Sequence, residues 1–299
     1  MARRLYPLVV SLIGGIGLGL ALMYLIGVGL AFVPGWERWA EFFVPIALVA
    51  LLVPYVLLIA HLVLRNHVGR FLLNRQAFEE ALEYSQRRRN SSLLRSRREV
   101  ANHTVVEARA HMGLGDYEKA RQLLEGDTPL PGSYAMEAQR WRFELALRED
   151  DREAAKTLGV EDPSSEKSAH GNLAALLACE AELALREGDL ERYRDKMKEA
   201  MWEKASHPRT GLCRALAMVE YEEDDEASDE VLALLTLVEE PIGNEIPARR
   251  TEIQALSALV HWRRERKAKA DALLEKAKGG PTDRWTDKVV EKVVSTING

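Results

Sequence analysis

Seven histidines and two cysteines are the side chains of this 299-residue chain best suited to metal ligation or nucleophilic chemistry. His61, His67, His103, His111, His170, His207 and His261 are dispersed, and only His103 and His111, eight apart, would fall on one helix face, with no cysteine beside them. Metal sites bring such groups together at short spacing, as in HExxH or CxxC, and neither pattern occurs. A Walker-type glycine loop for phosphates and a GxSxG nucleophile turn are also missing. Cys179 and Cys213 lie in apolar helical stretches and read as small buried hydrophobes. Two cysteines are too few for a disulfide framework and fit a reducing compartment. The acidic run Glu220, Glu222, Glu223, Asp224, Asp225, Glu226 reads as a solvated helix start, where carboxylates complement the helix dipole. The expectation is a protein that is not an enzyme and carries no metal and no cofactor.

The chemistry the charges do support is electrostatic. Residues 65–98 hold nine arginines, Arg65, Arg70, Arg75, Arg87, Arg88, Arg89, Arg95, Arg97 and Arg98, against three glutamates, a net of +6. Residues 99–299 hold 29 Lys and Arg against 41 Asp and Glu, a net of −12, so the formal −5 of the whole chain conceals opposing charges along its length. An arginine-rich segment is drawn to anionic lipid headgroups by about 1 kcal/mol per basic residue near the surface. The nine arginines are therefore expected to bind the membrane surface. Nucleic acid is not expected as a partner, because no aromatic platform interleaves the arginines and an acidic region follows.

These arginines follow directly on an apolar region. None of the 29 residues from Leu5 to Val33 is charged, and none of the 23 from Phe42 to Leu64. Each stretch exceeds the roughly 20 residues a helix needs to cross the hydrocarbon core. The turn between them carries Trp36 and Trp39, side chains that favour the headgroup level. Residues 1–64 thus read as a transmembrane helical hairpin with spans at about 5–33 and 42–64. Arg3 and Arg4 before it and Arg65, Arg70 and Arg75 after it place both termini in the cytoplasm by the positive-inside rule. Gly15, Gly19 and Gly27 share a face of the first span, where small residues let another helix pack closely, whether the second span or a second copy of the chain.

Beyond residue 65 strand signals are almost lacking and apolar residues recur at three and four, the helical period. One motif recurs: Ala108–Ala120 contains Leu-Gly-Asp-Tyr-Glu-Lys-Ala around Gly115 and Asp116, Ala181–Tyr193 turns at Gly188 and Asp189, and Phe143–Ala155 turns at Asp150 and Asp151. Weaker copies turn near Asp224 and Glu265. A residue that accepts the left-handed conformation ends one helix, and the aspartate after it caps the next. The spacing, in the mid-thirties to about forty residues, is that of a helical repeat. Gln76–Leu82 has the pattern of a second helix of a pair. Arg284–Ile297 has that of an amphipathic capping helix, with Thr282-Asp283 as its cap, and Glu161–Ser165 and Glu240–Gly243 read as loops between helices.

In these segments the chain resembles the tetratricopeptide repeat family, most closely in Ala108–Leu124 and Ala181–Met197. The resemblance implies a superhelix of helix pairs whose inner groove binds peptides or protein surfaces. The layout as a whole resembles the HemY-type inner-membrane proteins of bacteria, a family associated with haem biosynthesis through assembly of enzymes. The expected fold is all-α: a hairpin over 1–64, a basic juxtamembrane helix over 65–98, and a cytoplasmic repeat domain over 99–299 on the bacterial inner membrane. The expected function is a membrane-anchored scaffold that recruits protein partners through the repeat groove. The alternative is an accessory subunit of a transport, secretion or envelope-assembly complex, with the hairpin as its interface.

Overall fold

A computed structural model of the protein describes residues 35, 52, 67–90, 96–126, 130–159, 170–221 and 225–298. The two apolar stretches (apart from Leu52), Gly15, Gly19, Gly27, Arg65, Arg95, the loop at 161–165 and the turn at Asp224 lie outside these residues. No helix among the described residues is long and apolar enough to cross a membrane. The chain divides into two compact units, Met1–His67 and Val68–Gly299. In the first, Gly35 lies in a turn with φ +88° and Leu52 and His67 are helical.

The second unit is all-helical among its described residues. After a helical stretch at 68–74 come α1 (Phe78–Asn90), α2 (Arg97–Gly113), α3 (Tyr117–Leu124), α4 (Ser133–Arg148), α5 (Arg152–Thr157) and α6 (His170–Glu187). Then follow α7 (Leu190–Lys204), α8 (Pro208–Tyr221), α9 (Asp225–Glu245), α10 (Pro247–Arg263), α11 (Lys267–Lys278) and α12 (Arg284–Asn298). Successive helices pack in pairs, α2 on α3, α4 on α5, α6 on α7, α8 on α9 and α10 on α11. The first helices also pack in a row, α2 on α4, α4 on α6 and α6 on α8.

One turn geometry builds most of these pairs. Gln76, Gly115, Asp150, Gly188 and Glu265 all have positive φ, between 56° and 79°. In each case the next backbone N–H reaches five residues back, to the carbonyl of Leu72, His111, Ala146, Ala184 or His261, at 2.8–3.0 Å. This is the Schellman closure, which satisfies carbonyls left over at a helix end. Asp116, Asp151 and Asp189 then accept from the backbone N–H of Lys119, Ala154 and Arg192, capping α3, α5 and α7. Five residues after the left-handed position stand Ala81, Ala120, Ala155 and Ala270, each fully buried, where a small side chain lets the second helix lie close on the first.

One element differs from the sequence reading. Glu240–Gly243 is not a loop: α9 continues through Pro241 to Glu245, because Ile242 and Val238 are held in the core shared with α8 and α10. The break comes later, at Ile246, where Pro247 starts α10. Residues 68–90 share a core with the next helix, since Leu73, Phe78 and Ala81 pack on Val106 and Ala110 of α2.

α10 occupies a distinct place. Ile246 and Ala248 at its start join the cluster of Val105, Met112, Trp141 and Leu145 from α2 and α4, while Leu256 and Leu259 join that of Leu212 and Val219 from α8. Its side chains therefore reach α2, α4 and α8, and α12 packs along it with a further contact to α4.

Candidate functional site

Charged residues fill the interior where α4, α6, α8, α10 and α12 meet. Arg148, Arg186, Arg209 and Arg249 face Glu144, Glu182, Glu252 and Asp283, all of them buried except Arg186, which is half-buried with its side chain 4% exposed. Arg249 on α10 is the hub, with nitrogens 2.7 Å from Glu144, 3.1 Å from Glu182 and 2.8 Å from Glu252. Arg209 on α8 bonds Glu144 and Glu182. Arg148 on α4 bonds Glu252 at 2.7 Å and holds Asp283 by two parallel contacts of 2.6 Å, the bidentate geometry that a guanidinium fork favours.

Asp283 is also where α12 is fixed to the rest of the unit. It accepts from the hydroxyl of Tyr117 on α3 and from the backbone N–H of Thr286, so the cap of α12 is at the same time the partner of Arg148. Thr286 accepts from Arg148 and donates to the carbonyl of Ala248. Trp285 donates to Glu252 and lies under the guanidinium of Arg186, 3.4 Å from the ring centroid.

Burial would neutralise isolated charges here, and the pairing decides the outcome. Burial pushes the Glu182 carboxyl up, but Arg209, Arg249 and Arg186 outweigh it and hold the group well below the usual carboxylate range. Asp283 is likewise held down, with Arg148 overcoming the effect of burial. Burial draws Arg186 down to about 10 in spite of Glu182. Four cations against four anions leave the hub neutral, so it offers no spare charge to a substrate. It joins helices, and Glu182, Arg186 and Glu252 also line the cleft beside it. Cys179 and Cys213 are buried at its edge with their thiols pushed up by burial, Cys179 to about 11, so neither is a thiolate nucleophile near neutral pH. Among the described residues no three His, Cys, Asp or Glu side chains are grouped to hold a metal ion.

Next to the hub lies a cleft of about 490 Å³ between α6, α8, α10 and α12. Its apolar lining includes Leu216, Val219, Leu256, Leu259, Val289 and Val293. Arg186 and Trp285 stand at its inner end, where the hub begins. At the mouth, Lys292 of α12 meets Glu220 of α8 at 2.9 Å.

No protein-family model, curated protein or solved structure matches the chain.

The arginines singled out in the sequence fall into two sets. Arg70 bonds Asn102 and Glu137, and Arg89 lies 3.4 Å from Glu107, so both are engaged by residues of the fold. Arg75 lies over the ring of exposed Phe71, Arg88 over Tyr84, and Arg87 on Glu83 of its own helix. Arg97 and Arg98 are exposed at the start of α2. Phe78 at the start of α1 packs against Gly113 at the end of α2, and Tyr84 contacts His103, so the two helices run in opposite directions. Arg87 and Arg88 consequently share one end of the unit with Arg97 and Arg98. Gly69 packs on Val106 and Arg70 on Asn102, both along the middle of α2.

The hub was not anticipated from sequence, although a signal for it is present. Phe143-Glu144-Leu145-Ala146-Leu147-Arg148 and Ala181-Glu182-Leu183-Ala184-Leu185-Arg186 repeat a Glu and an Arg four apart among apolar residues, at the same distance from the left-handed turn. Solvent-facing charges seldom sit in an otherwise apolar run, and two copies of the pattern mark paired charges directed inward.

Proposed function

We propose that the chain is a membrane-anchored adaptor built as a solenoid of tetratricopeptide-like helix pairs, recruiting a protein partner at the cytoplasmic face of a bacterial inner membrane. The observation that carries this reading is the recurrence of one Schellman turn at Gln76, Gly115, Asp150, Gly188 and Glu265, which generates stacked helix pairs, among them the two whose first helices α6 and α10 line the cleft beside α8. Such stacks present their first-helix faces to ligands. Here much of that surface is taken up by α10, α12 and the ionic hub, and the cleft is the part left for a partner. The hairpin at 1–64 supplies location. Arg87, Arg88, Arg97 and Arg98, grouped at one end of the unit, supply attraction to anionic headgroups.

The test is site-specific photo-crosslinking in cells. A crosslinker at Tyr221 or Thr296 on the cleft rim should give a discrete adduct with a membrane-associated protein, and one at the exposed Leu237 of α9 should not. Replacing Leu259 by Asp should abolish the rim adduct. Identical adducts from all three positions, or none from the rim, would rule the reading out.

A further inference from the structure

The two sides of the cleft carry side chains of opposite charge in ion pairs: Lys288 with Asp150, Glu187 with Lys156 and Arg192, and Lys292 with Glu220 across the mouth. On the side of α10 and α12 stand Arg263, Lys288 and Lys292, all exposed, with Lys288 and Lys292 at 50% and 64% of their side-chain surface. On the side of α6 and α8 stand Glu187 and Glu220, the latter 49% exposed. Between them run the leucines and valines of the floor. The α12 wall extends from Trp285 to Thr296, about 16 Å of helix at 1.5 Å per residue. Its lining residues, Trp285, Lys288, Val289, Lys292, Val293 and Thr296, recur at three and four. Ridges with that spacing accept a second helix whose own ridge has it too.

We propose that the cleft takes an amphipathic helix of a partner protein, with an apolar ridge on the floor and flanks of opposite charge, acidic toward α12 and basic toward α6 and α8. This deepens, and rests on, the reading of the cleft as the partner site. A helix acidic on both flanks meets Glu187 and Glu220, and one basic on both flanks meets Arg263, Lys288 and Lys292, so each is repelled by one wall. Because turning a helix end for end exchanges its flanks, the two walls also fix the direction in which it lies. The Lys292–Glu220 pair across the mouth is an exposed ion pair, weak in water, and each member exchanges its present partner for one on the incoming helix.

The experiment uses the full chain in lipid nanodiscs and three fluorescein-labelled helical peptides with the same leucine ridge, one with Glu on both flanks, one with Lys on both, and one with Glu on one flank and Lys on the other. Anisotropy should show the mixed-flank peptide binding about tenfold tighter than either uniform one, with the preference shrinking in high salt. In Lys292→Glu the preference should move toward the Lys-flanked peptide, and in Glu220→Lys toward the Glu-flanked one. Equal binding of the three peptides, binding of none, or a preference unmoved by these substitutions would overturn the proposal. If the peptides fail while rim crosslinks still capture a cellular partner, the helix inference falls and the adaptor reading stands. If the peptides discriminate but no partner crosslinks in cells, it is the adaptor reading that falls.

Discussion

Arg249→Met is the most informative single perturbation of this fold. Arg249 is fully buried and contacts three carboxylates on three helices. Its loss leaves Arg148, Arg186 and Arg209 facing Glu144, Glu182, Glu252 and Asp283, one buried negative charge in excess. Each carboxylate keeps a partner: Glu144 keeps Arg209 at 2.8 Å, Glu252 keeps Arg148 at 2.7 Å, and Glu182 keeps Arg209 and Arg186. Removing one member of a buried ion pair costs about 3–5 kcal/mol, chiefly through the uncompensated charge left behind. That range is expected here, and urea denaturation of the full chain in mild detergent, followed by circular dichroism, measures it. Arg249→Lys should restore charge balance but recover only part of the loss, since an ammonium lacks the planar fork that reaches three carboxylates. Arg249→Met with Glu252→Gln returns the hub to neutrality and should regain at least half. The exposed Lys278–Glu275 pair on α11 is the control, expected to lose under about 0.5 kcal/mol on Lys278→Met. A cost for Arg249→Met below about 1 kcal/mol would show that the hub does not hold these helices together.

Other positions give independent tests. Glu265 occupies the left-handed turn at φ 56° with a side chain that disfavours it, so Glu265→Gly should stabilise by about 1 kcal/mol, while Gly188→Ala, at φ 78°, should destabilise by about 1–2 kcal/mol. His207 accepts the backbone N–H of Arg209 through Nδ1 in front of Pro208, and burial, reinforced by Arg140, lowers its pKa to about 4. The unfolded chain therefore takes up this proton first: stability is complete above the ordinary value of 6.5, declines as pH falls, and is fully lost near pH 4. The loss is at most about 3 kcal/mol and is reduced by partial exposure, and His207→Asn, which keeps a helix cap without a titrating group, should remove that part of the pH dependence in urea titrations. Reversing Arg87, Arg88, Arg97 and Arg98 to Glu should separate a dye at Ser96→Cys from anionic headgroups in nanodiscs, as read by energy transfer. Neutral lipid should show no difference between the native and reversed proteins.

The helix pairs were legible because their turns are written in local chemistry. Gly115-Asp116 and Gly188-Asp189 combine a left-handed residue with a cap, and even Asp150 and Glu265, which lack glycine, stand at the repeat spacing. Gln76 belongs to the same set, but neither glycine nor aspartate marks its turn in the sequence. Glu240–Gly243 misled for the opposite reason, since Pro241 and Gly243 look like a break. Burial of Val238 and Ile242 holds the helix together through the proline. The place of α10 could not be inferred at all. Its contacts with α2 and α4 join residues more than a hundred positions apart, and no local rule specifies which distant helix face receives it.

That α10 is held by charges and not by an apolar stripe alone bears on how the fold reaches a single arrangement. An apolar face slides on another at small cost, because many registers bury similar area. Guanidinium forks do not, since Arg249 can satisfy Glu144, Glu182 and Glu252 together only at one height on α10, and Arg148 can grip Asp283 with two bonds only when α12 starts where it does. Any other register would leave several buried charges unpaired, a penalty much larger than the difference between two apolar packings. The hub therefore sets the positions of α6, α8, α10 and α12 relative to one another, and these four helices are the walls of the cleft. The ionic interior and the proposed binding surface are two faces of the same constraint: a cleft specific for charge on each flank needs walls that cannot slip by a turn, and Arg249 and Arg148 provide that.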